Sequence, residues 1–448
     1  MPRRSNAPLS QPIFGEPVFN ESVPTPDPSQ FQVTNDDEKF YTKEVQALLT
    51  KDVVPFDKAS GKPGDLFSLS DAWGPHGPQV IQSINAAKSI VFHMIGDSGA
   101  SKQANFAAEI KVSDAVTNDF HTSNAASRPS FLYHLGDVVY NFGESTYYYD
   151  QFYEPFRDYP APILAIPGNH DSFILPGTPA GQEPLTIFAR NFCSPSIVVT
   201  KEAGSLHRTA MIQPGVYFAL DAPYVRILGL FSNSLEDPGV ISSETTKGKK
   251  KWPTVPDYQL DFLTAQLQNI KASNYPGAVI LAVHHPPFTY SPASGPSGGG
   301  KHAGNSVMLA QIDSICQQVG VYPHAFISGH AHNYQRYTRS VKFAGNNYTV
   351  PFVICGDSGH NVTTLVRATA GKNTPEPADN ANVKYLDVNP AVQSTGLILN
   401  KHDDQNSGYL RVAVNAKQLT ITFNPVTKSG APAKPDTVTV DLATHTSS

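Results

Sequence analysis

Five short motifs that carry metal-ligand side chains follow one another along this chain, and their order constrains the fold more than any other feature. The motifs are Gly96-Asp97-Ser98-Gly99, Gly136-Asp137-Val138-Val139-Tyr140, Gly168-Asn169-His170-Asp171, His284-His285-Pro286-Pro287 and Gly329-His330-Ala331-His332. Their carboxylate, amide and imidazole groups are donors that iron, manganese and zinc accept. A single Gly-Asp at a strand end is usually a turn. The ordered set, in contrast, predicts one site for two metal ions.

A mostly apolar run leads into each motif. The runs are 89–95, 130–135, 161–167, 278–283 and 325–328. Continuous apolar strands of this length are typical of sheets that are covered by helices on both faces. Since the carboxyl ends of such strands open into a common crevice, we expect the motif side chains to meet there.

Other periodic segments complete the predicted architecture, which is an α/β fold with a β-sandwich flanked by helices. Helical spacing of apolar residues predicts helices at 101–118 and 258–267. After the last motif, strands are predicted at 348–355, 409–414 and 419–423, with 415–418 as a hairpin connection between the last two. Segments 172–210, 236–256 and 290–304 are predicted as loops that set specificity, the last two at the mouth of the site.

The N-terminal region has a different character. Seven prolines lie among polar residues within the first 38 positions, which predicts an extended arm. We expect three parts: the arm at 1–38, a lead-in segment at 39–88 that packs on the catalytic domain, and the catalytic domain at 89–448. A short helix is predicted at 45–49. An oligomer formed through the arm is left open.

Composition excludes two classes of partner. The formal charge of −5 provides no basic surface for bulk nucleic-acid binding. No segment approaches the ~20 apolar residues of a membrane span. Arg3-Arg4 is followed by polar residues and proline rather than by an apolar run, so we predict no signal peptide. On the sequence alone we expect a cytoplasmic protein, and its actual compartment is unknown. Cys193, Cys316 and Cys355 show no metal or redox spacing, and we expect small buried thiols.

The order of motifs resembles the calcineurin-like metallophosphoesterases, from about residue 88 to 365. In that superfamily the first motif reads Asp-x-His, whereas Gly99 stands here in place of the histidine. The combination of Asp-x-Gly with Gly-Asp-x-x-Tyr, which ends in Tyr140, resembles the purple acid phosphatases, where tyrosinate binds ferric iron. The resemblance implies a four-layer metallophosphoesterase β-sandwich.

The same resemblance implies a ligand for each metal and a reaction. The first metal, Fe3+, would take Asp97, Tyr140 and His332, and the second metal, which is Fe2+, Mn2+ or Zn2+, would take Asn169, His284 and His330, with Asp137 bridging the two. A metal-bound hydroxide would hydrolyse small phosphate monoesters. For Tyr140, a simple packing role is the alternative, because Tyr147, Tyr148 and Tyr149 lie nearby in the sequence.

Four further residues are candidates for catalysis or substrate binding. His170 would act on the leaving group, and Asp171 would fix its tautomer. His285 would orient phosphate beside the ligand His284. His302 matches the position of substrate-contacting histidines in relatives, with a surface-loop histidine as the alternative. We expect His93 and His134, which lie on apolar strands, to be core residues.

Three other readings remain for the site. A phosphodiesterase would use the same motifs, and a non-catalytic phosphate-binding protein could share the fold. The segment Gly356-Asp357-Ser358-Gly359 repeats the first motif, and Gly-Asp-Ser-Gly also opens the nucleophile signature of chymotrypsin-like proteases. That signature continues Gly-Pro, whereas Ala100 and His360 follow the two copies here, which disfavours a protease. We expect Asp357 to form a strand-end turn that lines the site through His360.

Overall fold

The computed structural model describes residues 61–172, 185–204, 206, 208–233, 239–243, 255–290, 302, 304, 306–365, 377–383 and 392–448. The predicted arm, the predicted helix at 45–49 and most of the predicted mouth loops lie outside the described residues. The division of the chain into arm, lead-in segment and catalytic domain therefore stays a prediction.

Within the described residues, nine strands form the first sheet. In order across the sheet they are β1 (Phe67–Ser68), β5 (Phe218–Ala222), β6 (Val225–Leu230), β7 (Ala278–Val283), β8 (Ala325–Ser328), β10 (Asn346–Cys355), β9 (Tyr334–Phe343), β12 (Gln393–Asp403) and β11 (Ala381–Asn382). Strands β6, β7, β8 and β10 are parallel to one another. Strand β9 then pairs antiparallel with both β10 and β12.

The second sheet has seven strands within the same described ranges. They are β16 (Thr446–Ser447), β15 (Asp436–Asp441), β14 (Gln418–Val426), β13 (Ser407–Asn415), β2 (Ser89–Ile95), β3 (Leu132–His134) and β4 (Ile163–Ala165). Strands β2, β3 and β4 are parallel, and β13 joins β2 in antiparallel register. The parallel strands are buried along almost their whole length, as continuous apolar runs predict.

Helices flank the sheets. They are α1 (Leu69–Ala72), α2 (Gly77–Ala87), α3 (Gln103–Asn118), α4 (Thr186–Phe192), α5 (Tyr258–Ala272) and α6 (Ser306–Val319). Helices α5 and α6 pack against each other, and α3 contacts β13 and β14 of the second sheet. One large cluster of buried apolar side chains includes residues of both sheets. The predicted α/β sandwich flanked by helices is confirmed.

The chain before β2 is part of the same body from residue 61 onward. Strand β1 extends the edge of the first sheet by pairing in parallel with β5. The indole of Trp73 donates a hydrogen bond of 2.9 Å to the carbonyl of Ser130, just before β3. Among the described residues, no helix is both long enough and apolar enough to cross a bilayer.

A buried ion pair ties α6 to the first sheet. The Arg339 guanidinium on β9 donates to both carboxylate oxygens of Asp313 on α6, at 2.8 and 3.1 Å, and to the Tyr322 hydroxyl at 2.8 Å. All three side chains are buried. Removing one partner of such a pair typically destabilises a protein by about 3–5 kcal/mol, because the other charge stays buried without compensation. The pair joins α6 to β9, the strand that follows the last motif.

Parallel strands from both sheets end at the same place. The first three motifs follow β2, β3 and β4 of the second sheet, while the last two follow β7 and β8 of the first sheet. Backbone hydrogen bonds join these strand ends: the Asp97 amide donates to the Gly136 carbonyl at 2.9 Å, and the Gly329 amide to the His284 carbonyl at 3.0 Å. Across the sheets, the His330 amide donates to Asp97 Oδ2 at 2.8 Å, so the motifs of the two sheets meet in the crevice between them.

Candidate metal centre

One group of donor atoms surrounds the hydroxyl of Tyr140. Its Oη lies 3.2 Å from Asp97 Oδ1, 3.0 Å from Asp137 Oδ2 and 3.2 Å from His332 Nε2. All four side chains are buried. Asp97, Asp137 and His332 also satisfy the spacing needed to hold one metal ion.

A second group of donors surrounds the side-chain oxygen of Asn169. That oxygen lies 3.0 Å from His284 Nε2 and 3.1 Å from His330 Nδ1. His284 Nε2 is also 3.4 Å from Asp137 Oδ2, so Asp137 belongs to both groups. Asp137, His284 and His330 again have metal-site spacing. The structure thus brings together all seven residues for which the sequence predicts metal binding.

The Val138 carbonyl, the Gln151 side chain and the Tyr140 ring together occupy the space that a side chain at position 99 would need. A Cβ atom added to Gly99 would lie 2.6 Å from the Val138 carbonyl oxygen, 2.8 Å from Gln151 Oε1 and 3.0 Å from Tyr140 Cδ2. The histidine of the wider metallophosphoesterase pattern could not be accommodated here beside this tyrosine. Gly99 and Tyr140 therefore depend on each other: the tyrosine ring fits only because position 99 has no side chain.

The backbone at the site adopts conformations that non-glycine residues seldom use. Asp97, Asp137 and His330 have φ angles of 55°, 56° and 66°. Left-handed backbone at such residues typically costs of order 1–3 kcal/mol and clusters at functional sites. Hydrogen bonds hold these residues in place, including one of 2.8 Å from the His330 amide to Asp97 Oδ2. Gly168 packs directly against Asp137, since a Cβ there would come within 2.0 Å of Oδ1.

The electrostatics of the centre favour a bound cation. Burial lowers the pKa of His284, but the carboxylates of Asp137 and Asp97 raise it to about 9. Burial acts to raise the pKa of Asp137, while His284 and His170 bring it below its ordinary value. Burial raises the pKa of Asp97, while a protonated His284 offsets the negative charge of Asp137. A metal ion would do the same on displacing that proton, so the residues present fit metal cations.

Residues 92–334, more than half of the chain, match the family model described as calcineurin-like phosphoesterase. The chain belongs to this family. Members of this family use two metal ions, and the two Asp/His groups that share Asp137 fit such a pair.

The solved structures that the chain matches have low sequence identity to it. The purple acid phosphatase PPD1 from yellow lupin (Lupinus luteus) seeds is 15% identical, with a TM-score of 0.46 over 78% of this chain and 53% of that chain. PhoD is 12% identical, with a TM-score of 0.46 over 80% and 70%. GAP50, described as the anchor in the inner membrane complex of Plasmodium, is 10% identical, with a TM-score of 0.43 over 78% and 88%. The chain spans about half the length of the lupin chain. No curated protein matches this chain.

His170 lies against the centre of the phosphoesterase site, but Asp171 does not contact it. The Asp171 carboxylate accepts hydrogen bonds of 2.9 to 3.1 Å from the backbone amides of Gly168, Val138 and Val139. The His170 Nδ1 atom instead lies 3.0 Å from the Asn141 carbonyl oxygen, which can only accept a hydrogen bond. The predicted Asp171–His170 contact is therefore wrong, because local amides capture the carboxylate. Burial and the charge of Asp137 raise the Asp171 pKa to about 7, despite these amides.

Two other predicted histidines border the second donor group. The His285 ring lies 4.1 Å from the His330 ring between centroids, and its Nδ1 is 2.7 Å from Ser232 Oγ. The His302 ring is 5.0 Å from that of His330 and 4.7 Å from that of His332. The structure thus places His302 beside the centre rather than on a remote surface. Their roles toward substrate stay predictions.

The histidines predicted to be core residues are buried with both ring nitrogens paired. His93 lies 3.0 Å from the Tyr159 hydroxyl and 3.0 Å from Asp119 Oδ2. His134 Nδ1 accepts from the Gly136 amide at 3.2 Å, and Nε2 lies 2.9 Å from Ser98 Oγ. Burial lowers the His134 pKa to about 3, so this ring is neutral. The cysteines are free thiols; Cys316 and Cys355 are buried as predicted, whereas Cys193 is half-buried.

Of three supporting residues, Gln151 and Ser232 escape sequence reasoning, whereas His360 is the residue through which Asp357 was expected to line the site. Gln151 accepts from the Tyr140 amide and donates to the Tyr140 carbonyl, both at 2.8 Å. Ser232 anchors His285 from a loop after β6. His360 stacks on Tyr140, with ring centroids 3.8 Å apart and planes within 8°. The sequence offered one signal, which is the repeated Gly-Asp-Ser-Gly just before His360.

Replacement of Gly99 tests the packing of Tyr140. We expect Gly99→Ala to push the Tyr140 ring away from the donor atoms, because the backbone carbonyl of Val138 prevents relaxation on the other side. Overpacking of this kind typically costs about 1–3 kcal/mol. Thermal melting and metal analysis should show a lower Tm and less bound metal. Gly64→Ala is the control, since a Cβ at Gly64 meets no atom within 4 Å. Equal Tm and metal content in the two variants would contradict this packing.

Proposed function

We propose that this phosphoesterase hydrolyses phosphate monoesters at a two-metal site of the purple acid phosphatase type. The observation that carries the proposal is the position of Tyr140. Its hydroxyl lies 3.0 to 3.2 Å from donor atoms of Asp97, Asp137 and His332, on the side where Gly99 offers no ligand. A phenolate is a hard anionic oxygen donor, which suits ferric iron.

The proposed ligand assignment follows the two donor groups. Asp97, Tyr140 and His332 would hold Fe3+, Asn169, His284 and His330 would hold Fe2+, Mn2+ or Zn2+, and Asp137 would serve both ions. Asn169 is a neutral ligand, which leaves the second ion more electrophilic than a carboxylate would. When bound, two such ions polarise phosphoryl oxygens and activate the attacking water.

His170 is proposed to donate a proton to the leaving group. The carbonyl of Asn141 can only accept, so Nδ1 carries a proton and Nε2 is the nitrogen available for proton transfer. Nε2 lies 4.0 Å from Asp137 Oδ2, the proposed bridging carboxylate. The ring also contacts Tyr140, with centroids 4.2 Å apart. His170 is thus held at the centre without being one of the proposed ligands.

His285 and His302 are proposed to bind the substrate phosphate. Both rings contact the His330 ring, so a phosphate at the second metal would lie within reach of their ring nitrogens. Asp171 is proposed to act indirectly. By accepting from the amides of Gly168, Val138 and Val139, it ties the second motif to the third and fixes the loop that carries Asp137.

A matched pair of aryl substrates tests the reaction class. We expect a higher kcat/KM for 4-nitrophenyl phosphate than for bis(4-nitrophenyl) phosphate, measured on metal-loaded protein. The reverse order would assign the chain to the phosphodiesterases. Full metal occupancy without turnover of either ester, or of a wider panel of nucleotides and phosphopeptides, would instead indicate a non-catalytic phosphate-binding protein.

Removal of the Tyr140 hydroxyl tests the ferric site. Iron-loaded, oxidised protein should be pink to purple, because tyrosinate bound to ferric iron absorbs visible light through ligand-to-metal charge transfer. Tyr140→Phe should lose this band while keeping the wild-type Tm. Tyr348→Phe, on β10, is the control and should keep the band. A wild-type protein that binds iron without colour, or a band that survives in Tyr140→Phe, would reduce Tyr140 to a packing residue.

Removal of His170 tests the proton donor. His170→Ala should retain both metals and lose about 10²–10⁴-fold in kcat for alkyl phosphates, whose leaving groups need a proton. The loss should be smaller for 4-nitrophenyl phosphate, because nitrophenolate leaves without one. The exposed His121 provides a control variant, His121→Ala. An equal loss for both kinds of substrate would mean that His170 binds phosphate and transfers no proton.

A further inference from the structure

The second Gly-Asp-Ser-Gly segment, 356–359, has no part in the proposed chemistry, yet it lies directly against the first. The Ser358 amide donates to the Gly96 carbonyl at 3.2 Å, and Ser358 Oγ accepts from the Gly96 amide at 3.3 Å. His360, two residues after Ser358, continues the contact, because its amide donates to the Asp97 carbonyl at 3.0 Å. The two copies thus pair through their backbones.

Close approach of the two copies requires the glycine before His360. A Cβ on Gly359 would lie 2.5 Å from the Ser98 carbonyl oxygen and 2.8 Å from Glu109 Cβ. Ser358 Oγ also donates to the Gly408 carbonyl at 2.8 Å, which ties the second copy to β13 of the other sheet. His360 therefore projects from a segment fixed on both sides.

His360 contacts the two positions at which this chain departs from the wider metallophosphoesterase pattern. Its Nδ1 donates to the Gly99 carbonyl at 2.9 Å, which fixes the tautomer. Its ring stacks on Tyr140 at 3.8 Å and 8°. The same imidazole lies 4.8 Å from the ring of His332, another donor of the first group.

We propose that His360 is a positioning residue for Tyr140, holding the phenol ring so that its oxygen meets Asp97, Asp137 and His332. The hydrogen bond to Gly99 sets the plane of the imidazole, and the stack transmits that plane to the phenol. The imidazole also covers the phenol ring against water. This proposal rests on the proposed function in so far as Tyr140 binds iron.

Two roles of His360 can be separated by substitution: filling space beside Tyr140, and positioning Tyr140 through the hydrogen bond to Gly99. His360→Ala removes the stack and the hydrogen bond, whereas His360→Phe keeps a flat ring. A matched control is His445→Ala, because His445 stacks on another tyrosine, Tyr348, at 4.4 Å and 15°. That stack lies on β10 and the turn before β16, away from the donor groups.

The visible spectrum of iron-loaded, oxidised protein is the readout. We expect His360→Ala to move the charge-transfer band to shorter wavelength and to broaden it, because water reaches the phenolate and the ring gains freedom. Metal affinity should fall about 10–100-fold, the range typical of residues that orient metal ligands. His360→Phe should recover only part of the wild-type band position, because its ring stacks on Tyr140 but lacks the hydrogen bond to Gly99, and His445→Ala should match wild type. A wild-type band in His360→Ala, or in His360→Phe, overturns the proposal.

A metal-free measurement separates this proposal from the proposed function. In protein labelled with 3-fluorotyrosine, Tyr140→Phe identifies the Tyr140 fluorine signal. His360→Ala should shift that signal by loss of the imidazole ring current, and His445→Ala should leave it in place. A colourless wild-type protein would defeat the ferric assignment alone, whereas an unshifted Tyr140 signal in His360→Ala defeats the role of His360.

Discussion

The contact between the Tyr140 ring and Gly99 is the interaction on which the rest of the site depends. Because position 99 has no side chain, the phenol ring can reach its backbone, and the phenol oxygen then lies among the donors of Asp97, Asp137 and His332. Gln151 holds the Tyr140 backbone from both sides, at its amide and its carbonyl. A larger residue at 99 would displace the ring and the oxygen together. One missing side chain thus determines which atom completes the first donor group.

The fold brings buried charges and unfavourable backbone conformations together at the two donor groups. Strand ends from two sheets converge, and Asp97, Asp137 and His330 take left-handed backbone conformations there. Two buried carboxylates so close together would repel each other without a positive charge between them. The carboxylates raise the pKa of His284, and a metal ion could supply the positive charge in place of its proton. Cations and fold are therefore expected to stabilise each other, as is general for sites that form only in the native state.

Sequence patterns predicted the parts of this structure that local chemistry determines. The apolar runs became β2, β3, β4, β7 and β8, because continuous burial leaves a continuous signal. Strands β9 and β12 were missed, since half-buried alternation in β9 mixes charged and apolar residues. Asp171 was assigned to His170 from adjacency alone, whereas the amides of the same loop bind it. Ser232 was missed because its partner His285 lies 53 residues away, and distance along the sequence carries no periodic signal, whereas the repeated Gly-Asp-Ser-Gly pointed to His360.

The central claim is that Tyr140 replaces the missing side chain at position 99 as a ligand of the first metal. Anomalous diffraction at the iron edge, from crystals of iron-loaded and oxidised protein, tests this directly. The account predicts an iron peak within bonding distance of Tyr140 Oη, Asp97, Asp137 and His332, and a second metal peak beside Asn169, His284 and His330. An iron peak bound by the carboxylates and His332, with Tyr140 Oη outside bonding distance, would contradict it.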